Sequence, residues 1–172
     1  MTIEALLKDK EIKPKEKTTM ISNWLLQESL PIDELIAFAE KQKDSIKATC
    51  MESAEYATKE NPQIATESLF DFACLSLTEK ASRLKWESAK VIGNIARLYP
   101  EKLKDAINNL IENTTHEGTV VRWSAAFALG EILKLQTKHN KELIKTVEAI
   151  CETEQKNSIK KIYLAAIKKL DK

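Results

Sequence analysis

The chain has 172 residues, of which 43 % are hydrophobic and 31 % charged, with a net charge of +1 and only 3 Gly and 4 Pro. That is enough apolar material for one core, and too few turn residues for an all-β chain. No segment approaches the roughly eighteen apolar residues of a membrane span, and the three cysteines, Cys50, Cys74 and Cys151, lie in apolar helical faces without paired spacing, so they read as buried free thiols.

The near-zero net charge hides an asymmetry. Residues 1–80 hold 10 Lys against 15 Asp or Glu, which is −5, and residues 81–172 hold 17 Lys or Arg against 11 Asp or Glu, which is +6. An acidic front and a basic back would steer partners of opposite sign or favour head-to-tail self-association; ordinary surface charge is the plainer reading.

The opening MTIEALLKDKEIKPKEK has no apolar run long enough for a signal peptide, and the expectation is a soluble, cytoplasmic protein. Residues 2–8 fit a short helix, and Pro14 interrupts the charged stretch behind it, so residues 1–16 read as a short N-terminal helix and loop that caps loosely. The run TTMISNWLLQESL then puts Met20, Ile21, Trp24 and Leu25 on one face, and Pro31 opens a helix carrying Ile32, Leu35 and Ile36. Further helices are expected near 45–60, 63–78, 82–99, 101–113, 119–136, 140–154 and 157–170. Pro62 and Pro100 fit first-turn positions, where the missing amide proton is harmless. The last helix, with Lys160, Lys161, Lys168, Lys169 and Lys172, reads as a polar end cap.

Two of these helices are near-copies. LKWESAKVIGNIARL from Leu84 is answered by VRWSAAFALGEILKL from Val121, with Trp86 on Trp123 and Gly93 on Gly130. Fainter copies begin at Ile46 and Ile159, so the intervals are 84−46 = 38, 121−84 = 37 and 159−121 = 38. A period of that size marks a helical repeat array.

The segments ASRLKWESAKVIGNIA and THEGTVVRWSAAFALGEI resemble the HEAT-repeat family, whose second helix opens with a Val-Arg-like pair, then alanines and Leu-Gly. The resemblance spans roughly residues 31–172, with IKATCMESAEYA and IKKIYLAAIKKL as degenerate copies. It implies an all-α superhelix, an armadillo-type solenoid of about four to five helical pairs in a single domain over residues 1–172. In that family the second helix of each pair lines the concave surface, where ligands commonly sit. The family's turn Asp is matched by Asp44, whereas Glu79 and Glu117 stand in the next two turns.

At 100° per residue, Leu84, Ser88, Val91, Ile92 and Ile95 form one stripe, and Val121, Ala125, Ala128, Leu129 and Ile132 form its twin; these are the expected core. The opposite faces carry Trp86, Ala89, Lys90, Gly93 and Arg97, and Trp123, Ala126, Phe127, Gly130 and Lys134. The aromatics Trp86, Trp123 and Phe127, edged by Lys90, Arg97 and Lys134, are the candidate partner-binding residues, because rigid aromatics flanked by cations make good anchors. Packing between repeats is the competing role for the same aromatics. A glycine inside a helix costs on the order of 1 kcal/mol against Ala, so something approaches the backbone at Gly93 and Gly130, either a neighbouring helix or a ligand. Lys47, Lys85, Arg122 and Lys160 share one register position; they form a basic ladder along the groove, or each pairs with a turn carboxylate.

Catalytic signals are missing. His116 and His139 fall in or beside turns without a second ligand at metal spacing, and no phosphate-cradling glycine loop is present. The expectation is a non-catalytic binding module that holds a protein or peptide partner, without cofactor, metal or membrane. Two alternatives rest on resemblance: nucleic-acid binding, because HEAT-like solenoids occur among alkylpurine DNA glycosylases, and, more weakly, a role like that of phycobilisome lyases. Near-zero net charge and the lack of a dense Lys/Arg stripe count against nucleic acid.

Overall fold

The computed structural model describes residues 1–170, and the described residues hold ten α-helices and no strand. They alternate as first and second helices of five pairs: α1 (Ile3–Lys8) with α2 (Pro14–Leu26), α3 (Ile32–Ala39) with α4 (Asp44–Glu60), α5 (Glu67–Ser76) with α6 (Ser82–Ile95), α7 (Leu103–Asn113) with α8 (Thr119–Lys134), and α9 (Asn140–Thr153) with α10 (Asn157–Leu170). The second helices stack in the order α2, α4, α6, α8, α10, and α3, α5 and α7 pack in sequence beside them. This is an all-α solenoid, and its core runs between the two rows. Lys172 of the expected end cap lies outside the described residues.

The core stripes are as the 100° spacing requires. Leu84, Ser88, Val91, Ile92 and Ile95 are buried, and so are Val121, Ala125, Ala128, Leu129 and Ile132. The opposite faces differ from expectation, because each second helix also packs sideways on the next one. Those lateral seams bury Ala89, Ala126 and Gly130, which leaves a narrower strip of each helix open to water.

Several helix starts are also displaced, for local reasons. Pro14 does not break a helix but begins one, taking the first helical position, where no amide proton is needed. Residues 1–16 are accordingly a built element: Leu6 is fully buried, and the Lys17 ammonium donates to the Leu7 carbonyl at 2.9 Å. The expected helix 63–78 is divided. Pro62–Ile64 form a 3₁₀ turn started by Asn61, whose Oδ1 accepts from the Gln63 amide, and α5 begins only after Thr66. The extended Thr66 caps α5 by accepting from the Leu69 amide at 3.3 Å and also donates to Asp33 at 2.6 Å. Pro100–Lys102 form a similar turn before α7, and α6 runs into a 3₁₀ turn at Ala96–Leu98. Gln136, at φ 54, ends the turn after α8 in the left-handed region.

The three cysteines are free. Cys50 is buried, and its burial pushes the thiol up to about 12, while Cys74 and Cys151 are half-buried.

Candidate functional site

The strip that the second-helix row leaves open crosses four seams, of which the α6–α8 and α4–α6 seams differ in chemistry. Between α6 and α8 the contact is apolar. Phe127 on α8 lies against Gly93 on α6 so closely that a Cβ at Gly93 would stand 2.5 Å from the Phe127 ring, which explains the helix-interior glycine. Trp123, one turn before Phe127, stacks on it with ring centroids 6.1 Å apart and planes at 11°, and it remains 40 % exposed. Gly130 repeats the arrangement more loosely toward α10, with Ala166 Cβ 3.5 Å from where a Cβ would be. At both glycines the close neighbour is therefore a side chain of the next helix.

Between α4 and α6 the same lateral contact is polar. The Arg83 guanidinium reaches Glu52 and also donates to Thr49 Oγ1 at 3.2 Å and to the Ser45 carbonyl at 3.3 Å. The Asn94 amide donates to Thr58 Oγ1 and to the Glu55 carbonyl, both at 3.2 Å. Between these tethers lie two carboxylates withdrawn from water: Glu87 is 4 % and Glu55 6 % exposed. The Trp86 indole N–H donates to Glu87 Oε1 at 2.9 Å. Glu87 Oε2 accepts no hydrogen bond, and the Lys90 ammonium stands 3.5 Å from it. Burial raises the pKa of both carboxyls above the usual value, and the Lys90 charge pulls in the opposite direction on each.

The six sequence-predicted residues thus divide. Trp123 and Phe127 form one stacked pair, whereas Trp86 and Lys90 turn to Glu87 in the other seam. Arg97 is exposed beside a recess of about 330 Å³ that it lines with Lys59, Asn94 and Phe127. Lys134 pairs with Glu131 on its own helix at 2.8 Å.

Sequence reasoning missed Glu52, Glu55, Glu87 and Arg83. The period itself carries a signal for one of them, since 55+38 = 93 and 93+37 = 130: Glu55 occupies the register that holds Gly93 and Gly130 in the two central repeats. In the same way 52+38 = 90 and 90+37 = 127 put Glu52, Lys90 and Phe127 at one position. Phe127 meets Gly93 across one seam, and Lys90 acts on Glu55 across the other.

The basic ladder is structural where its contacts are seen. Arg122 pairs with Glu154 of the next repeat at 3.0 Å and donates to the His116 and Glu117 carbonyls. Lys85 bridges the Leu77 carbonyl and Asn113 Oδ1 of the next repeat, at 3.0 and 3.1 Å. Each cation ties its own turn to the following first helix, so a carboxylate partner is used by Arg122 and an amide by Lys85. His116 serves its own turn, its Nδ1 accepting from the Gly118 amide at 2.8 Å.

The fold is the armadillo-type helical repeat. No protein-family model matches this sequence, and no curated protein matches it. Among solved structures it is similar to a designed armadillo repeat protein in complex with the peptide (KR)4, with a TM-score of 0.76 and 16 % identity over 97 % of this chain and 79 % of that one. A second designed armadillo repeat protein gives a TM-score of 0.68 at 13 % identity, covering 98 % of this chain and 80 % of that one. An engineered protein gives 0.72 at 14 % identity over 99 % of this chain; here the chain spans about half of its neighbour, 47 %. At these identities the likeness is one of fold. No helix among the described residues is long and apolar enough to cross a membrane.

Proposed function

We propose that this protein is a binding module that lays a peptide segment of a partner protein along the open strip of its second-helix row, with Trp123 as the central anchor. One observation carries the reading: Trp123 is a large aromatic kept 40 % exposed, yet held in one orientation by its stack on Phe127. A fixed, half-open ring offers apolar area to a ligand with little entropy left to lose. The peptide complex of a designed armadillo neighbour supports the same use of the fold. The function needs no catalytic group and no cofactor, and Arg97 at the adjoining recess adds a cation at the rim.

Nucleic acid is the second reading, favoured by Lys59, Arg97 and Lys134 at one register, since 59+38 = 97 and 97+37 = 134. Against it, Lys134 is already paired with Glu131, and a net charge of +1 leaves no dense basic stripe for phosphates.

The test is selection from a displayed library of random octapeptides. The wild-type protein is expected to enrich a consensus, and Trp123→Ala to weaken its binding about tenfold or more with a melting temperature lowered by only a few degrees. Undiminished binding by Trp123→Ala, with a large loss of stability, assigns the ring to packing. Saturable, salt-sensitive quenching of tryptophan fluorescence by short DNA, without peptide enrichment, selects the nucleic-acid reading.

A further inference from the structure

The lateral seams of the second-helix row are not equally filled. α8 sets Phe127 on Gly93 of α6, and α6 turns Lys90 and Asn94 toward α4. The same register in α4, since 49+38 = 87, 52+38 = 90 and 56+38 = 94, holds Thr49, Glu52 and Tyr56. These three line an open cavity of about 610 Å³ between α4 and the α1–α2 pair, a volume in the range of small-molecule sites. Its walls divide by chemistry. Leu7 of α1, Pro14 of α2 and Ile46 of α4 supply apolar surface. Lys15 and Lys17 of α2 and Arg83 of α6 bring three positive charges against the one carboxylate of Glu52, so the lining carries 3 − 1 = +2. The excess is local, because residues 1–80 as a whole sum to −5. Arg83 is committed to Glu52, Thr49 and the Ser45 carbonyl, whereas Lys15 and Lys17 meet no carboxylate within ion-pair distance among the described residues. The Lys17 ammonium is held by the Leu7 carbonyl at 2.9 Å, so its charge is a fixed feature of the wall. A cleft with low-dielectric walls concentrates such a field on whatever enters it.

We propose that this cavity is a binding site for a small organic acid, an aromatic or aliphatic body carrying one anionic group such as a carboxylate. The body lies against Leu7, Pro14 and Ile46, and the anion meets the ammonium groups of Lys15 and Lys17. The ligand thereby fills the α2–α4 seam, much as the Phe127 ring fills the α6–α8 seam. The site is separate from the Trp123 anchor, which lies two helices farther along the row, and it does not depend on the peptide-binding reading.

The probe is anilinonaphthalene sulfonate, an aromatic monoanion that fluoresces on leaving water, compared with phenylnaphthylamine, the same body without the charge. The proteins are wild type, Ser45→Trp, Lys15→Gln and Trp123→Ala, each with its melting temperature measured alongside. Ser45 lines the cavity with an exposed side chain, so a tryptophan there fills the space, and Lys15 is exposed on α2, so its replacement should unfold like wild type. Wild type is expected to bind the anionic dye at one saturable site and the uncharged analogue at least about fivefold more weakly. Ser45→Trp is expected to lose about tenfold for both, Lys15→Gln about threefold for the anion alone, and Trp123→Ala to bind both like wild type. Dye binding that Ser45→Trp leaves intact places the dye elsewhere and overturns the proposal. So do equal wild-type affinities for dye and analogue, or the lack of a saturable site at about 1 mM dye. Where Ser45→Trp does not fold, Lys15→Gln decides alone, and an unchanged affinity for the anion overturns the site. Loss in Trp123→Ala alone assigns the dye to the peptide strip and removes the cavity site. A failed peptide selection beside the expected dye pattern removes the Trp123 anchor and keeps the cavity site.

Discussion

The α6–α8 and α4–α6 seams occupy equivalent places in consecutive repeats and are built from opposite chemistry. At one register position α6 has Gly93 and α4 has Glu55; at another α8 has Phe127 and α6 has Lys90. The first seam closes by letting a ring sink onto bare backbone. The second holds its helices together at the ends, through Arg83 with Glu52 and Asn94 with Thr58, and keeps two carboxylates in between. A repeat fold tolerates both because each helix pair needs only to bury its core stripe, and the lateral contact is free to vary. Where the chemistry departs from the cheaper apolar solution, function is the reason to look for.

Breaking the apolar seam should have the largest effect. In Gly93→Ala the new Cβ meets the Phe127 ring at 2.5 Å, and the ring, stacked on Trp123, must move. Overpacking outweighs the gain in helix propensity, and thermal unfolding should show a net loss of about 1–2 kcal/mol. Adding Phe127→Ala in the same chain should remove most of that penalty, a coupling measurable in a double-mutant cycle. Gly130→Ala has the opposite sign, because its Cβ finds Ala166 at an ordinary 3.5 Å, and it should stabilise by about 0.5–1 kcal/mol. A destabilised Gly130→Ala would mean that the two glycines are not distinguished by what faces them.

The acidic seam should respond to pH in a direction fixed by burial. For Glu55 and Glu87 the folded state holds the proton more tightly than the unfolded chain does, against a usual value of 4.5. The unfolded state therefore binds fewer protons across that interval, and stability falls as pH rises through it. Glu87→Gln keeps an oxygen for the Trp86 indole and removes the charge. It should raise stability by about 1 kcal/mol near neutral pH, and the gain should vanish as pH falls below 4.5, where the carboxyl is protonated in folded and unfolded states alike. A gain that persists unchanged at low pH would come from packing and not from charge.

How much of this was legible in the sequence follows from the same contrast. The repeat period, the core stripes and a close approach to the backbone at Gly93 and Gly130 are all readable, although only the structure shows that a neighbouring helix makes that approach. The lateral seams are less readable: a helical wheel has one inside and one outside, whereas α4, α6 and α8 each have neighbours on three sides. That is why Ala89, Ala126 and Gly130, assigned to the open face, are buried. The register also held information that the hydrophobic pattern concealed. The Ile46 repeat reads as a degenerate copy, yet its departure from consensus, Glu55 in place of glycine, is the feature that makes its seam different. The start of α2 at Pro14 was hidden for another reason, since proline signals both the end of one pattern and the first turn of the next.

The smallest stability effects belong to the rim that both seams share. Arg97 is exposed without an ion pair among the described residues, and Lys134 pairs only with Glu131 within its own helix, both partners about one-third exposed. Such a pair contributes roughly 0.3–0.5 kcal/mol at most, and Arg97→Ala and Lys134→Ala should each unfold within about 0.5 kcal/mol of wild type. The value of these variants lies in binding. If the strip holds a peptide anchored at Trp123, removing these rim cations changes the affinity for a selected peptide only slightly, because the buried ring contact supplies most of the binding energy. If the strip holds nucleic acid, the same substitutions weaken binding and flatten its salt dependence, each by about one phosphate contact. The two variants therefore separate the readings at almost no cost in stability: a clear loss of affinity with a flatter salt dependence selects nucleic acid, and a near-unchanged, salt-insensitive affinity selects the peptide.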